Sequence, residues 1–250
     1  MKPASDEAQG RKVGDGQRHT NSDERPLIYT PEEALAISEM DFERYCRIAT
    51  LSFSLELKRA ALVELEHEVA ELTMAVVAAR QADDGELASR WHAVQTFIES
   101  QVLELRMWVA LNDKSFEAAY GYFVSAQKYA AAAERWLGEF PPVAALVERL
   151  AHQETVLFPR QWFFSLAFIV DENKVECSIC RTLASSCDHI PGRLYNGFEA
   201  QRILGRVVSV REISMVDNPS DKRCRVIDFG GIDPLTGKDR ENTDTVNDIV

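Results

Sequence analysis

The sequence has no uninterrupted apolar stretch of the ~20 residues that a membrane-spanning helix requires. Its N-terminus, M-K-P-A-S-D-E-A-Q-G, also lacks the apolar segment of a secretory signal peptide. Cysteine is scarce, with 5 in 250 residues, and four of the five lie in the C-terminal half. Such a small clustered set is unlike the disulfide framework of a secreted domain. We therefore expect a soluble cytoplasmic protein with no membrane contact.

Basic residues are also fewer than acidic residues. The 28 Lys and Arg residues stand against 40 Asp and Glu residues, which gives a formal net charge of -12 and a pI near 5.0. This balance argues against neutralisation of a phosphate backbone as the main function. The C-terminal half does carry local basic residues: Arg202, Arg206, Arg211, Lys222, Arg223 and Arg225. A solvated sheet face explains them at least as well, so nucleic-acid binding is the less favoured interpretation.

Composition divides the chain into four parts. Residues 1–29 are polar without apolar periodicity, and residues 230–250 are polar and acidic, so we expect a flexible leader and a flexible tail. Residues 30–157 carry helical periodicity, and residues 158–229 change to an extended pattern. The predicted fold class is α+β, with an N-terminal all-helical bundle followed by a small β domain.

The helical part begins with a strong start signal, because Thr30 can cap a helix whose first residue is Pro31. From about Asp41, apolar residues recur every seven positions, and only Lys58 interrupts the second of their two rows. The rows are Ile48, Leu55, Leu62, Val69 and Val76, and Leu51, Leu65, Leu72 and Ala79. This pattern predicts one helix of about forty residues with a coiled-coil-like stripe that packs against another helix.

The partner helix follows the polar break at residues 81–85 and carries one apolar face from Leu87 to Trp108, which predicts a long antiparallel hairpin. A third helix, rich in small residues, starts near Asp113 and Ser115, and a fourth runs from Val143 to about Thr155. We expect the surface of this helical domain to bind a protein partner or a second copy. The domain offers no catalytic constellation, since none of its histidines has a second histidine four positions later.

After Pro159 the run W-F-F-S-L-A-F-I-V predicts a buried strand. The segments R-I-L-G-R-V-V-S-V-R-E-I-S-M-V and C-R-V-I-D-F predict two or three more strands.

Four soft metal ligands lie within thirteen residues, between the first strand and the later ones: Cys177, Cys180, Cys187 and His189. Three thiolates and one imidazole complete a tetrahedral zinc shell and leave no position for water or substrate. The pattern therefore predicts a structural Zn²⁺ that stabilises a β domain with little core of its own. Cys224 is the alternative fourth ligand, in which case the site is all-thiolate and His189 is free.

The stretch from Leu157 to Phe229 carries L-F-P-R-Q, F-F-S-L-A-F-I-V, C-S-I-C, C-D-H-I-P-G-R-L-Y-N-G and V-R-E-I-S-M-V-D-N-P-S-D-K-R-C-R-V. With these motifs it resembles a zinc-bearing β module of uncharacterised bacterial and phage-related proteins. The S-L-A-F and E-I-S-M-V-D-N-P-S elements also resemble the second half of phage prohead proteases, which are serine proteases with a herpesvirus-protease-like β fold.

The protease resemblance would make Ser165 the nucleophile and place Glu212 near the third member of the triad. The chain departs from that family at Ala167, where the family has glycine, and it offers only His152 as a nearby base on a helical segment. We therefore expect a non-enzymatic, zinc-binding interaction or adaptor protein in a bacterial or phage-related setting. The alternatives are a serine hydrolase that uses Ser165 and a nucleic-acid-binding protein that uses the arginines of the zinc domain.

Overall fold

A computed structural model describes residues 30–158 and 162–226 of the chain. The predicted leader and tail, residues 1–29 and 230–250, lie outside the described residues. Five helices come first: α1 (Pro31–Thr50), α2 (Leu55–Gln81), α3 (Gly85–Asn112), α4 (Phe116–Leu137) and α5 (Pro141–Leu157). They are followed by β1 (Phe163–Val170), β2 (Glu176–Cys177), β3 (Leu194–Tyr195), β4 (Phe198–Glu199), β5 (Arg202–Ile203) and β6 (Val207–Val216). The α+β fold class is confirmed.

Side-chain caps confirm the predicted starts of α1 and α3, whereas Ser115 precedes α4 without a side-chain capping bond. Thr30 and Glu33 form a reciprocal capping box at the start of α1, with Pro31 in the first turn. The Asp84 side chain accepts a hydrogen bond from the Leu87 N–H at the start of α3. No described helix combines the length and the apolar character that crossing a lipid bilayer requires.

The prediction of one forty-residue helix is wrong, because residues 51–54 separate α1 from α2. Ser54 caps α2 by accepting a hydrogen bond from the Leu57 N–H. Lys58, which interrupts the apolar row in the sequence, is buried, and its ammonium donates to three carbonyls at the end of α1. The acceptors are Ile48 O at 3.0 Å, Ala49 O at 2.9 Å and Ser52 O at 2.7 Å. These bonds satisfy carbonyls that the helix end leaves without partners and so stabilise the break.

The antiparallel hairpin is formed by α2 and α3. Hydrogen bonds between the two helices join Gln95 to Thr73 at 3.1 Å and Arg106 to Glu66 at 2.8 Å. Later residues of α3 thus contact earlier residues of α2, which shows that the helices run antiparallel. Helix α3 also packs on α1, α4 and α5, and half of its residues are buried. It is therefore the central helix of the bundle, and it buries residues beyond the single apolar face that the sequence predicted.

A buried ion pair joins two of these helices. Arg149 of α5 donates to both carboxylate oxygens of Glu104 of α3, at 2.8 and 2.6 Å. Gln153 donates to the same carboxylate at 2.6 Å, and Arg149 also donates to the Cys46 thiol at 2.9 Å. The network therefore connects α1, α3 and α5 inside the bundle.

The strands form three separate two-stranded sheets, β1–β6, β2–β5 and β3–β4, all antiparallel. The prediction that β1 is buried is wrong beyond its first residue. Phe163 is buried in the helical core, whereas Phe164, Leu166 and Phe168 are exposed. The strand predicted at residues 224–229 is also wrong over its described part, because Lys222–Cys224 is a 3-10 helix and Arg225 makes only a single bridge to Phe163.

Candidate metal centre

The four predicted ligands lie close together, and we refer to Cys177, Cys180, Cys187 and His189 as the Cys3His cluster. Their donor atoms, three Sγ and one imidazole nitrogen, all lie within 4.8 Å of one another. Cys180 Sγ is 3.4 Å from Cys187 Sγ, and Cys187 Sγ is 3.1 Å from His189 Nδ1. The fold thus brings together two sequence segments, one with Cys177 and Cys180 and the other with Cys187 and His189, which the 3-10 helix Ala184–Ser186 separates along the chain.

A tight turn presents the first two thiols. The Cys177 N–H donates to Thr182 O and the Arg181 N–H donates to Cys177 O, both at 2.9 Å. Arg181 has a φ of 59°, in the left-handed region, so the chain reverses direction directly after Cys180. The Ile179 N–H points at Cys177 Sγ at 3.4 Å. This turn aims both thiols of the C-x-x-C segment to the same side.

The second pair of ligands is oriented by its neighbours. The His189 N–H donates to Cys187 Sγ at 3.2 Å. The His189 ring meets the Tyr195 ring edge-on, with 4.5 Å between the centroids. The Tyr195 hydroxyl accepts a hydrogen bond from the Ile190 N–H at 2.9 Å. Tyr195 therefore fixes both the imidazole and the chain that carries it.

The dimensions of the cluster match a tetrahedral zinc shell. Zn–S bonds of about 2.3 Å and Zn–N bonds of about 2.0 Å separate neighbouring ligand atoms by roughly 3.5 to 3.8 Å. Two of the separations, 3.4 Å between Cys180 Sγ and Cys187 Sγ and 3.1 Å between Cys187 Sγ and His189 Nδ1, need only a slight expansion to reach these values. Cys177 is buried, and the other three residues are partly or fully exposed. The cluster is thus able to hold a metal ion at the protein surface.

The thiols titrate unevenly. Hydrogen bonds from Thr182, through its hydroxyl and its backbone N–H, lower the pKa of Cys180 to about 6. The His189 N–H favours the Cys187 thiolate, but desolvation and the neighbouring Cys180 and Cys177 groups outweigh it and raise the pKa of Cys187 to about 11. A thiolate at one cysteine of the cluster therefore disfavours the ionisation of a second cysteine. A divalent cation removes this opposition by neutralising the thiolates together.

The alternative ligand, Cys224, lies elsewhere. It ends the 3-10 helix Lys222–Cys224, and it does not belong to the group of converging donor atoms. This helix is held on the bundle by Lys222, whose ammonium is 2.6 Å from the Glu154 carboxylate and whose carbonyl accepts from the Tyr120 hydroxyl at 2.9 Å. The geometry therefore favours His189 as the fourth ligand.

Ser165 has no hydrogen-bonded base in the described part of the chain. It pairs with Ser214 across the β1–β6 ladder, and the Ser214 hydroxyl donates to Glu212. His152 lies on the exposed surface of α5, and no hydrogen bond connects it or any other described histidine with Ser165. The structure thus does not bring together the serine, histidine and acid that a triad requires.

The basic residues of the C-terminal half do not form one free surface. Lys222 pairs with Glu154, Arg223 pairs with Asp221 at 2.7 Å, and Arg225 pairs with Glu117. Because these carboxylates neutralise half of the six candidate cations, the field that a nucleic acid would meet here is weakened.

A docking contact that the sequence analysis missed joins the metal segment to the helices. Asn196 and Gly197 form the two-residue loop between β3 and β4, with φ values of 52° and 70°, as a type I′ hairpin requires. Arg80 of α2 donates to the Asn196 carbonyl at 3.0 Å and stacks on Phe198, and the Gly197 N–H donates to Ser89 of α3 at 3.0 Å. The Asn-Gly dipeptide was the available signal for this hairpin.

A second docking contact precedes β3, where Trp136 of α4 donates its indole N–H to Gly192 O at 2.8 Å. Gly192 lies between His189 and β3, so the metal segment is fixed to the bundle at the turn of its hairpin and just before the first hairpin strand.

The chain matches no family model, no curated protein and no solved structure in the comparisons with known proteins.

Proposed function

We propose that the Cys3His cluster binds one structural Zn²⁺ and that the protein is a non-enzymatic interaction or adaptor protein. The observation that supports this is the convergence of three thiols and one imidazole within 4.8 Å. Thiolate and imidazole ligands together favour zinc over the harder divalent cations. Because the protein supplies all four ligands, the metal has no open position for a substrate, which is typical of structural sites.

The metal would act as the core that this segment lacks. Between residues 171 and 205 only Val175, Cys177 and Ala200 are buried apolar residues. Zinc would join the Cys177 turn to the loop at Cys187, and this loop leads directly into the hairpin that docks on α2 and α3. Metal binding would then contribute to the folding of the segment and to its attachment to the bundle.

An interaction role through the helical domain is supported by apolar side chains at the α1–α2 junction. Leu51, Phe53 and Leu57 are all exposed there, and Leu51 is 72% exposed although it continues an apolar row of the sequence. Such clusters are typical of protein-binding surfaces. The bacterial or phage-related setting rests on the resemblance of residues 157–229, and a reducing cytoplasmic location rests on the five free thiols.

Metal content of the purified full-length protein tests the proposal. We expect one zinc per chain by elemental mass spectrometry, with the zinc lost in Cys187→Ser and in His189→Ala. Cys224→Ser is the matched control, because Cys224 is an exposed cysteine outside the cluster, and it should keep the metal. Wild-type protein without zinc, or equal metal loss in the Cys224→Ser control, would contradict the proposed site.

A further inference from the structure

The β1–β6 ribbon exposes an unusual amount of apolar surface. Eight of its large apolar side chains are between 43% and 64% exposed: Val208, and seven that share one face, Phe164, Leu166, Phe168, Val207, Val210, Ile213 and Met215. A two-stranded ribbon is marginally stable in water on its own, and it gains stability when an apolar face is covered. Within residues 30–158 and 162–226, nothing covers this face.

The register collects these seven side chains on one side of the ribbon. Four cross-strand pairs share a face, because they occupy alternate positions of β1: Phe164 with Met215, Leu166 with Ile213, Phe168 with Val210, and Val170 with Val207. All eight members of these pairs are apolar and none is charged. We refer to these eight residues as the ribbon face.

Two bulges in β6 produce this arrangement. The ladder skips Arg211 between the partners of Ala167 and Phe168, and it skips Val208 between the partners of Ile169 and Val170. Strict alternation along β6 would instead have placed Ser209 and Arg211 on the same face as Ile213. The bulges therefore shift the register so that the ribbon face remains apolar over its whole length.

The opposite side of the ribbon differs in composition and in contacts. Its pairs are Phe163 with Val216, Ser165 with Ser214, Ala167 with Glu212, and Ile169 with Ser209. Phe163 and Val216 belong to or pack against the helical core. Since that side faces the bundle at its base, the ribbon face points away from the protein's own helices.

We propose that the ribbon face is a dimer interface, on which the same face of a second copy packs around a two-fold axis. An isologous contact of this kind places each residue against the same set in the partner, and a face without charge meets no like-charge repulsion there. The exposed area of the seven exposed residues of the ribbon face is roughly 600 Å² per chain, at the upper end of the range for the largest apolar patch of a typical monomer. Two such faces would bury about 1,200 Å², which reaches the lower range of stable interfaces.

The bulges also disfavour edge-to-edge pairing through β6. Edge-to-edge pairing through β6 would require a regular row of free N–H and C=O groups, which bulges at Val208 and Arg211 interrupt. The exposed, charged Arg211 side chain on that strand further disfavours an added strand. In the proposed dimer the two ribbons stack face to face, about 10 Å apart, as packed sheets do.

The test is the mass of the full-length protein in solution, measured by sedimentation and by light scattering over a range of concentrations. One chain has a mass of 28.2 kDa, and we expect the wild-type protein in solution to have twice that mass. Ile213→Glu adds one charge per chain to the ribbon face and should weaken dimerisation at least about 100-fold, since two carboxylates would be buried without partners. Ser209→Glu adds the same charge to the same strand on the opposite side, and it should stay dimeric.

Leu166→Glu gives an independent second variant on β1 and should behave as Ile213→Glu does. Both positions are more than half exposed in the single chain, so helix content by circular dichroism and zinc content should stay unchanged. Hydrogen exchange of residues 163–170 and 207–216 should be slow in the wild-type dimer and fast in both variants. A monomeric wild-type protein, or a dimer that survives both substitutions, would overturn the proposal.

Discussion

Breaking the buried ion pair between Arg149 and Glu104 should be among the most costly single changes in the bundle. Glu104 has a side-chain exposure of 2% and Arg149 one of 14%, so neither group can recover full hydration if its partner is removed. Arg149→Met keeps a long apolar stem but leaves the Glu104 carboxylate with Gln153 as its remaining donor. We expect the free energy of unfolding to fall by about 3–5 kcal/mol, because an unpaired buried charge is left behind.

The same pair should cost far less when both members are removed. In Arg149→Met/Glu104→Leu no charge remains to be desolvated, and apolar side chains of similar size fill the space. We expect the double variant to recover at least half of the stability that Arg149→Met loses. The contrast between the single and double variants would show that the loss comes from the isolated carboxylate and not from lost packing.

Urea unfolding followed by far-UV circular dichroism measures these differences, with zinc content held equal in all samples. Arg106→Met is the matched control, because Arg106 binds Glu66 at 2.8 Å while their side chains are 43% and 44% exposed. Breaking that exposed pair should cost less than about 1 kcal/mol. If Arg149→Met were no more destabilising than Arg106→Met, the argument from burial would be refuted.

Four further changes, three substitutions and one metal removal, test other parts of the structure. Gly197→Ala should weaken the docking of the β3–β4 hairpin by about 2 kcal/mol, because the φ of Gly197 is 70° and a Cβ there would lie 3.0 Å from the Ala88 carbonyl oxygen. Faster hydrogen exchange of residues 194–199 would measure this loss. Gly121→Ala, where a Cβ would meet nothing within 4 Å, should instead raise helix stability by about 0.5–1 kcal/mol in the same urea assay. Lys58→Met should lower the unfolding free energy by about 2–3 kcal/mol, because three carbonyls at the end of α1 lose their donor, and an unchanged urea midpoint would contradict that role. Zinc removal by a chelator should expose residues 176–203 to proteolysis while far-UV circular dichroism stays nearly constant, and loss of the helical signal would contradict the independence of the bundle.

Lys58 and the β1 run show where the sequence patterns were misleading. In the sequence, Lys58 only interrupts an apolar row of one predicted long helix. In the folded chain the Lys58 side chain is buried and donates hydrogen bonds to carbonyls at the end of α1. The dense apolar run of β1 predicted burial, because such runs are found in strands covered on both sides. The structure exposes it instead, since what covers a strand depends on other elements and on other molecules.

The sequence by itself determined the start of α1 at Thr30, the break before α3, the small residues of α4, the change to strands after residue 157 and the donor set of the Cys3His cluster. These features depend on caps, turns and ligand types that act within a few positions of the chain. Only the tertiary structure decided that Arg149 meets Glu104, that the Asn196–Gly197 loop docks on α2 and α3, and that two bulges gather one apolar face on the ribbon. Those contacts join residues tens of positions apart, and their energy comes from complementary surfaces that exist only after the elements have packed.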